Sequence, residues 1–489
     1  MVITEKTILN DFNRLKKIAK KSLCHNNLDL AFLCINKAAN LMYNSNLIYE
    51  YDDLEKMIKE LGARVFAGKQ VSCKNDKSKK RLVFYDYFVL DNRGLSEQYL
   101  DALFDSEYEI LFVGCHKSEK STEIYNKLAK HKIKTVLIEE KNPVRRTEEI
   151  VNAISDFLPD IILAHTAPWD VEGLIAISLF EGRCKRYLIN ITDHAFWLGA
   201  SVFDYYIEFR DYGYNISKEY RKIDESKLLK LPYYPIVNKN IQFGGFKFET
   251  EGKKIIFSGG SIYKIQGSPN FLEIVKHILT KYEDTVFLFL GNGDFSYLQR
   301  FIEENKFQNR FFYESERKDI WEVFNHCDLY LNTYPLIGGL MTQYACMAGK
   351  VPLTLKDKDD HCNDVYELMT EHFGVECQFK SVEELEAAFD EYMRNLNKIQ
   401  SDGERLKSAI ITPLDFSNKL LRFLNNSEHK SDFRVYEIDT KKFAENYIRR
   451  FNANKRSYYG LFLHRNLKTA KYFFGYYVRY VLARCKIAF

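Results

Sequence analysis

The chain runs to 489 residues, 46% hydrophobic and 28% charged, a normal globular composition on a length too great for one ordinary core. Two or three domains are therefore expected, and ten cysteines, none in a CxxC spacing, argue against a zinc knuckle or a redox pair. The formal charge of +4 conceals an asymmetry: ten Lys/Arg and no acid lie between Asn446 and Phe489, which leaves −6 for residues 1–445.

The first charges are followed by no apolar leader-like run, and no stretch approaches a charge-free membrane span, so a cytoplasmic protein is expected. Residues 1–65 read as a small helical cap, with Leu28, Ala31, Ile35, Ala38 and Met42 at three-four spacing. One such unit cannot form a solenoid, so the cap is expected to pack on the next domain, with a protein-docking module as the alternative. Residues 80–235 alternate apolar runs (RLVFYDYFV, YEILFVG, IKTVLIEE, PDIILAH, KRYLINIT, DYYIEFR) with helical stretches such as RRTEEIVNAISDF. The segment 236–252, which follows Pro232 and Pro235 and carries Gly244 and Gly245, reads as a hinge.

Residues 253–425 repeat the pattern in KKIIFSGG, DTVFLFLG, NRFFYES, DLYLNTYP and KVPLTL, and residues 381–425 are helical. Apolar strands alternating with amphipathic helices give parallel sheets covered on both faces. The expected fold class is α/β: two Rossmann-like domains facing a cleft, with the helical cap and a basic, aromatic C-terminal helical tail over 446–489. Ligands of such sheets bind outside the carboxyl ends of the strands. Two glycine sites fall there, Gly259-Gly260-Ser261 followed by Lys264, and Gly338-Gly339 leading into a helix. Bare backbone and free helix N–H groups favour a phosphate, so a diphosphate between the two loops is expected.

FSGGSIYK, LFLGNGD and RFFYESERKDIWEVFNHCDLYLNTYPLIGGLMTQYACMAGKVPLTL resemble the donor half of a GT-B glycosyltransferase of the group 1 type, which builds bacterial surface polysaccharides such as capsule and lipopolysaccharide. NITDHAFWLG, EFRDYG and LPYYP resemble its acceptor half, and the likeness covers roughly residues 80–425. It implies a donor site at Gly259, Gly260, Ser261 and Lys264, a second phosphate site at Gly338, Gly339, Leu340, Met341 and Thr342, and a small-residue turn at Gly349 and Pro352. Members often carry an acid in the helix after the second site; this chain offers Gln343 and Tyr344, the latter taken as donor-binding. The loop with Asp91, Arg93 and Gly94 is implied to touch the acceptor, its alternative being a simple turn.

Glycosyl transfer needs the leaving diphosphate stabilised and, in an inverting enzyme, a base for the acceptor hydroxyl. Lys264 and helix N-termini meet the first need without metal, and no cofactor is expected. Arg317 and Lys318 either add to this or face solvent, the second being preferred. For the base, Asp193 with His194 and Asp170 with His165 lie at strand ends, with Trp169 and Trp197 placed to stack on a sugar. Asp193 with His194 is the first choice. The acidic run KDKDDHCND fits no strong metal motif and reads as a solvated loop, although Asp364 or Glu367 could reach donor hydroxyls. Cations interleaved with aromatics in the tail suit an anionic membrane surface; a packed groove or nucleic acid are the alternatives, and nucleic acid is not expected.

The expected function is transfer of a sugar from a nucleotide diphosphate donor to a glycan acceptor, polyprenyl-linked, by a protein peripheral on the inner face of the cytoplasmic membrane. A protein O-glycosyltransferase, a nucleotide-sugar 2-epimerase and an inactive scaffold remain as rivals.

Overall fold

A computed structural model describes residues 2–66, 80–91, 95–266, 268–425, 432–464 and 467–485. The chain divides into two compact units, one of residues 1–231 with 417–489 and one of residues 232–416. The first contains a seven-stranded sheet of β1 (Arg81–Asp86), β2 (Glu109–Gly114), β3 (Lys134–Leu137), β4 (Ile161–His165), β5 (Lys185–Asn190), β6 (Tyr205–Glu208) and β7 (Leu228–Lys230), in spatial order β3-β2-β1-β4-β5-β6-β7. Every pairing in it is parallel. The second contains β8 (Lys254–Gly259), β9 (Thr285–Leu290), β10 (Phe311–Glu314), β11 (Leu329–Leu331), β12 (Pro352–Leu355) and β13 (Gln378–Phe379), also all parallel, in the order β10-β9-β8-β11-β12-β13. Both orders are the doubly wound one, reversing direction beside the first strand.

The expected strands all form, and β7 and β13 are added at sheet edges. Their two or three residues are too short to carry periodicity. The α/β class with two Rossmann-like sheets is what the structure has.

The cap packs on the next domain as expected: α1 (Glu5–Cys24), α2 (Leu28–Ser45) and α3 (Asp52–Val65) share one core with the first sheet. The buried Glu55 of α3 accepts from the Gly199 N–H at 2.8 Å and the Ser201 hydroxyl at 2.8 Å, fixing the loop after Trp197. Residues 236–252 do not stand free as a hinge; Phe248 stacks on Phe312 at 4.5 Å and Phe243 on His326 at 3.9 Å. Arg317 lies against this segment, donating to the Gly245 carbonyl at 2.6 Å and pairing with Asp319, and so does more than face solvent. Finally, the helix Pro413–Asn425 leaves the second unit at Phe416 and the chain re-enters the first.

The tail corrects the membrane reading for most of its aromatics. Phe451, Tyr458, Tyr459, Phe462, Phe473 and Tyr476 are buried in the core that contains α1 and α2. The hydroxyls of Tyr458 and Tyr476 both donate to the Asp11 carboxylate at 2.5 Å, and the buried Lys37 ammonium donates to the Leu461 and Leu463 carbonyls at 2.7 and 2.8 Å. Burial pushes Lys37 down to about 8. Among the described residues no helix is long and apolar enough to cross a membrane.

Because one carboxylate satisfies two buried phenols, Asp11→Ala should cost about 1–3 kcal/mol for the hydroxyls it strands. Limited trypsin digestion should then cut after Arg449, Arg450, Lys455 or Arg456 faster than in the parent chain; unchanged cleavage and melting would mean that the tail docks without this contact.

Candidate functional site

In the second unit the order reversal falls between β8 and β11. β8 ends at Gly259, and Gly260 follows with φ +149, a conformation open to glycine. The chain crosses so tightly here that a Cβ on Gly291 would lie 1.7 Å from the Gly260 carbonyl oxygen. Ser261 opens the turn Ile262–Lys264, and its hydroxyl takes no partner among the described residues.

Lys264 then reaches to the second glycine loop. Its Nζ donates to the Ile337 carbonyl at 2.6 Å while its own carbonyl accepts from Leu336 N at 3.3 Å. Burial pushes the Lys264 ammonium down to about 8, with the Cys362 thiol opposing. The helix Gly339–Met347 begins directly after this contact, with Gly338 at its N-cap and no side chain capping it. Its first-turn N–H groups at Gly339, Leu340 and Met341 are thus the donors a helix start leaves open, at the positive end of its dipole.

Two asparagines absent from the sequence expectation hold this loop. Asn332, buried at the end of β11, accepts from Thr333 N and Gly338 N at 3.0 Å each and donates to Thr342 Oγ1 at 2.8 Å. Asn363 accepts from Ile337 N at 3.0 Å and donates to the Pro335 carbonyl at 3.1 Å. An asparagine at a strand end reads as a turn residue in sequence, so neither was legible as a brace.

The structure therefore brings Gly259, Gly260, Ser261, Lys264, Gly338, Gly339, Leu340 and Met341 to one sheet edge. It assigns Thr342 and Tyr344 elsewhere. Thr342 is fully buried and donates to the Gly338 carbonyl at 3.0 Å, an internal brace. Tyr344 is buried, its hydroxyl donating to the Ile236 carbonyl at 2.6 Å, which anchors the incoming chain and leaves no face for a donor. In the acidic run, Asp357 accepts from Tyr334 at 2.9 Å, Asp360 caps the turn at Asn363, and Asp364 accepts from Tyr366 N and Gln378. Among the described residues no group of three His, Cys, Asp or Glu side chains could hold a metal ion.

In the first unit the reversal falls between β1 and β4. Asp86 and His165 end those strands and meet: His165 Nδ1 lies 3.0 Å from Asp86 Oδ1 and 3.1 Å from Ser96 Oγ, and Ser96 donates to Asp86 Oδ2 at 2.6 Å. All three are fully buried, and His165 Nε2 has no partner. Burial pushes the Asp86 carboxyl up, but His165 and Ser96 outweigh it and hold it below its usual value. Asp170 does not orient His165. It caps the helix Val171–Ser178 through Gly173 N at 2.9 Å and accepts from Tyr85 at 2.7 Å, and burial pushes it up to about 6.

Asp193 and His194 are paired as expected of neighbours, with Oδ1 to Nδ1 at 3.3 Å, but a third group dominates. Arg210 donates to both Asp193 oxygens, at 2.5 and 3.1 Å, in a fully buried pair. Burial pushes Asp193 up, yet Arg210 and His194 together hold it far below the usual carboxylate range. Arg221, buried beneath the same loop, donates to the Asp193 and Ala195 carbonyls at 2.9 and 2.6 Å. Asp193 is thereby a fixed anion and not itself a proton acceptor. His194 keeps 31% of its side chain exposed, and its Nε2 makes no hydrogen bond among the described residues.

Trp197 offers no sugar platform, being buried with the Arg221 guanidinium 4.6 Å over its ring, whereas Trp169 is half-buried and meets Tyr43 of the cap edge-on at 5.3 Å. Asp91 accepts from Glu123 N and Ile124 N at 3.1 Å each, capping the helix Thr122–Lys130. Arg93 and Gly94 lie outside the described residues.

No protein-family model matches the sequence, and no curated protein matches it. The fold does match solved structures. Anabaena HepE in complex with UDP and glucose superposes with a TM-score of 0.54 at 14% identity, covering 70% of this chain and 98% of that one. An O-GlcNAc transferase from Thermobaculum terrenum gives 0.51 at 15% identity, over 91% of this chain and 84% of that one, and a glycosyltransferase from Rickettsia africae 0.50 at 13%, over 71% and 98%. The chain has the GT-B glycosyltransferase fold.

Asn332→Ala removes the acceptor for two backbone N–H groups, so a loss of about 1–3 kcal/mol per stranded donor is expected. Nucleotide affinity should fall further than stability does, measured by titration at a temperature where the variant is fully folded. Equal affinity in the folded variant would show that Asn332 does not shape the loop.

Proposed function

We propose that the chain is a glycosyltransferase that uses a nucleoside diphosphate sugar, with the second unit holding the diphosphate. The observation that carries this is the junction of Lys264 with the uncapped helix start at Gly338, which places a cation and free N–H donors at one sheet edge. The anion that leaves when the glycosidic bond forms is stabilised by these same groups. The fold is compatible with the same roles, and HepE's structure contains UDP, which makes UDP the first diphosphate to try.

The first unit supplies the base candidate. Asp193, kept ionised by Arg210, orients the His194 imidazole, whose Nε2 is open to take the proton of an acceptor hydroxyl. His165 lies closer to its carboxylate, 3.0 Å against 3.3 Å, but has no exposure, so His194 is assigned the role. A glycan acceptor, lipid-linked, follows from the sequence resemblance alone. Lys264 and the helix dipole support a reading in which the diphosphate is bound without metal.

A thermal-shift panel of UDP, GDP, ADP, CMP and dTDP, with and without EDTA, tests the donor site. One diphosphate should stabilise the protein, EDTA should leave the shift intact, and Lys264→Ala should reduce it. The affinity should also depend on pH: Lys264 is charged below about 8, so binding weakens as pH rises through that value, and Lys264→Ala removes this limb. Absence of any nucleotide shift would overturn the donor assignment.

His194→Gln should lower kcat by about 10²–10⁴ while the donor Kd stays unchanged. Retained turnover in that variant would remove His194 from the chemistry; conversion of a nucleotide sugar with no acceptor present would point to epimerisation.

A further inference from the structure

We propose that the helix Phe474–Arg484 is a docking surface for anionic phospholipid. The tail as a whole is packed, but this helix has two faces. Tyr476 is buried against Asp11, whereas Phe474, Val478 and Val481 are 70, 41 and 55% exposed. Their i, i+4, i+7 spacing puts them on one stripe. Single exposed apolar residues are ordinary, as at Leu396 and Leu414 of the second unit; three in register on one helix are not.

The charge around the stripe selects the occupant. Lys471 is exposed one turn before Phe474, Arg484 is exposed just beyond Val481, and the whole segment 446–489 has ten cations and no acid. Apolar side chains flanked by long cationic ones are suited to the headgroup boundary, where the apolar tips enter the acyl region while the cations stay with the phosphates. A second copy of this chain would bring the same cationic segment against itself, which like-charge repulsion disfavours. Nucleic acid needs open aromatic faces for stacking, and here the aromatics Tyr458, Tyr459, Phe462, Phe473 and Tyr476 are buried, leaving two valines and one phenylalanine on the stripe. An anionic lipid surface is complementary to both the charge and the apolar tips.

The full chain is tested by sedimentation with vesicles of phosphatidylcholine alone and with about 30% phosphatidylserine. Binding to the anionic vesicles should be at least about tenfold stronger than to neutral ones and should weaken with added salt. Combined Phe474→Ser, Val478→Ser and Val481→Ser should reduce it about tenfold with an unchanged melting temperature, because all three side chains are outside the core. Lys471→Gln with Arg484→Gln should reduce it on anionic vesicles only, and Leu414→Ser should leave it unchanged. The proposal is overturned if the parent chain binds no vesicle, if neutral and anionic vesicles bind alike, or if the triple serine variant binds as well as the parent. It is equally overturned if that variant instead abolishes retention on polyuridine or dissolves a concentration-dependent dimer. Nucleotide thermal shifts recorded on the same variants keep this result separate from the donor assignment.

Discussion

Parallel pairing imposes one constraint on everything else in this protein: all carboxyl ends of a sheet's strands emerge on the same edge. Asp86 and His165 are 79 positions apart, yet β1 and β4 pair in register and deliver both to that edge. β8 and β11 do the same for Gly259 and for Asn332, which follows the last residue of its strand. The reversal of strand order falls beside β1 and β8, where Asp86 meets His165 in the first unit and Gly259 lies near Asn332 in the second, while Asp193 and Arg210 follow β5 and β6 further along the same edge.

The two edges solve opposite electrostatic problems. In the first unit Asp86, Asp193, Glu208, Arg210 and Arg221 are all buried, and desolvating each ion costs several kcal/mol before a partner offsets it. Burial pushes Glu208 up to about 7 even though Arg221, Ser217 and Asn190 favour its charge. Such a network is rigid because any departure leaves an ion unpaired, and a rigid loop is what fixes His194 while leaving one imidazole nitrogen open. In the second unit the loop is held by neutral amides and one cation. Asn332, Asn363 and Thr333 make the direct hydrogen bonds to the loop, and the one carboxylate in that bracing, Asp360, stands a step back, holding the Asn363 amide at 2.6 Å.

The fold was legible because burial on both faces makes a parallel strand a continuous apolar run, and eleven of the thirteen strands fall in such runs. Edge strands β7 and β13 have too few residues to show that signal. The glycines and Lys264 were legible because small residues at strand-to-helix turns have few other uses. Side-chain direction was not. Trp197 and Tyr344 read as binding aromatics, but their ring chemistry says nothing of which face they occupy, and both are core. Asp193 read as a partner for His194, yet Arg210, seventeen residues on, sets its charge, and only pairing of β5 with β6 brings the two loops together. The tail's aromatics likewise carry no mark separating a packed face from an open one.

The absence of an acid at Gln343 was the sole feature favouring a scaffold without turnover, and its surroundings give it a different cause. Gln343 is buried, and its amide Nε2 donates to the carbonyls of Tyr233 at 2.8 Å and Leu368 at 3.1 Å. A carboxylate here would face two carbonyl oxygens with no donor, a buried charge opposed by both neighbours. Tyr344 beside it ties down Ile236 in the same way. This stretch of the helix is therefore committed to bracing the chain at 233–236, and its residues answer to that demand. The departure from the resembling family at these two positions describes how the second unit is assembled, and it leaves the helix start and Lys264 untouched.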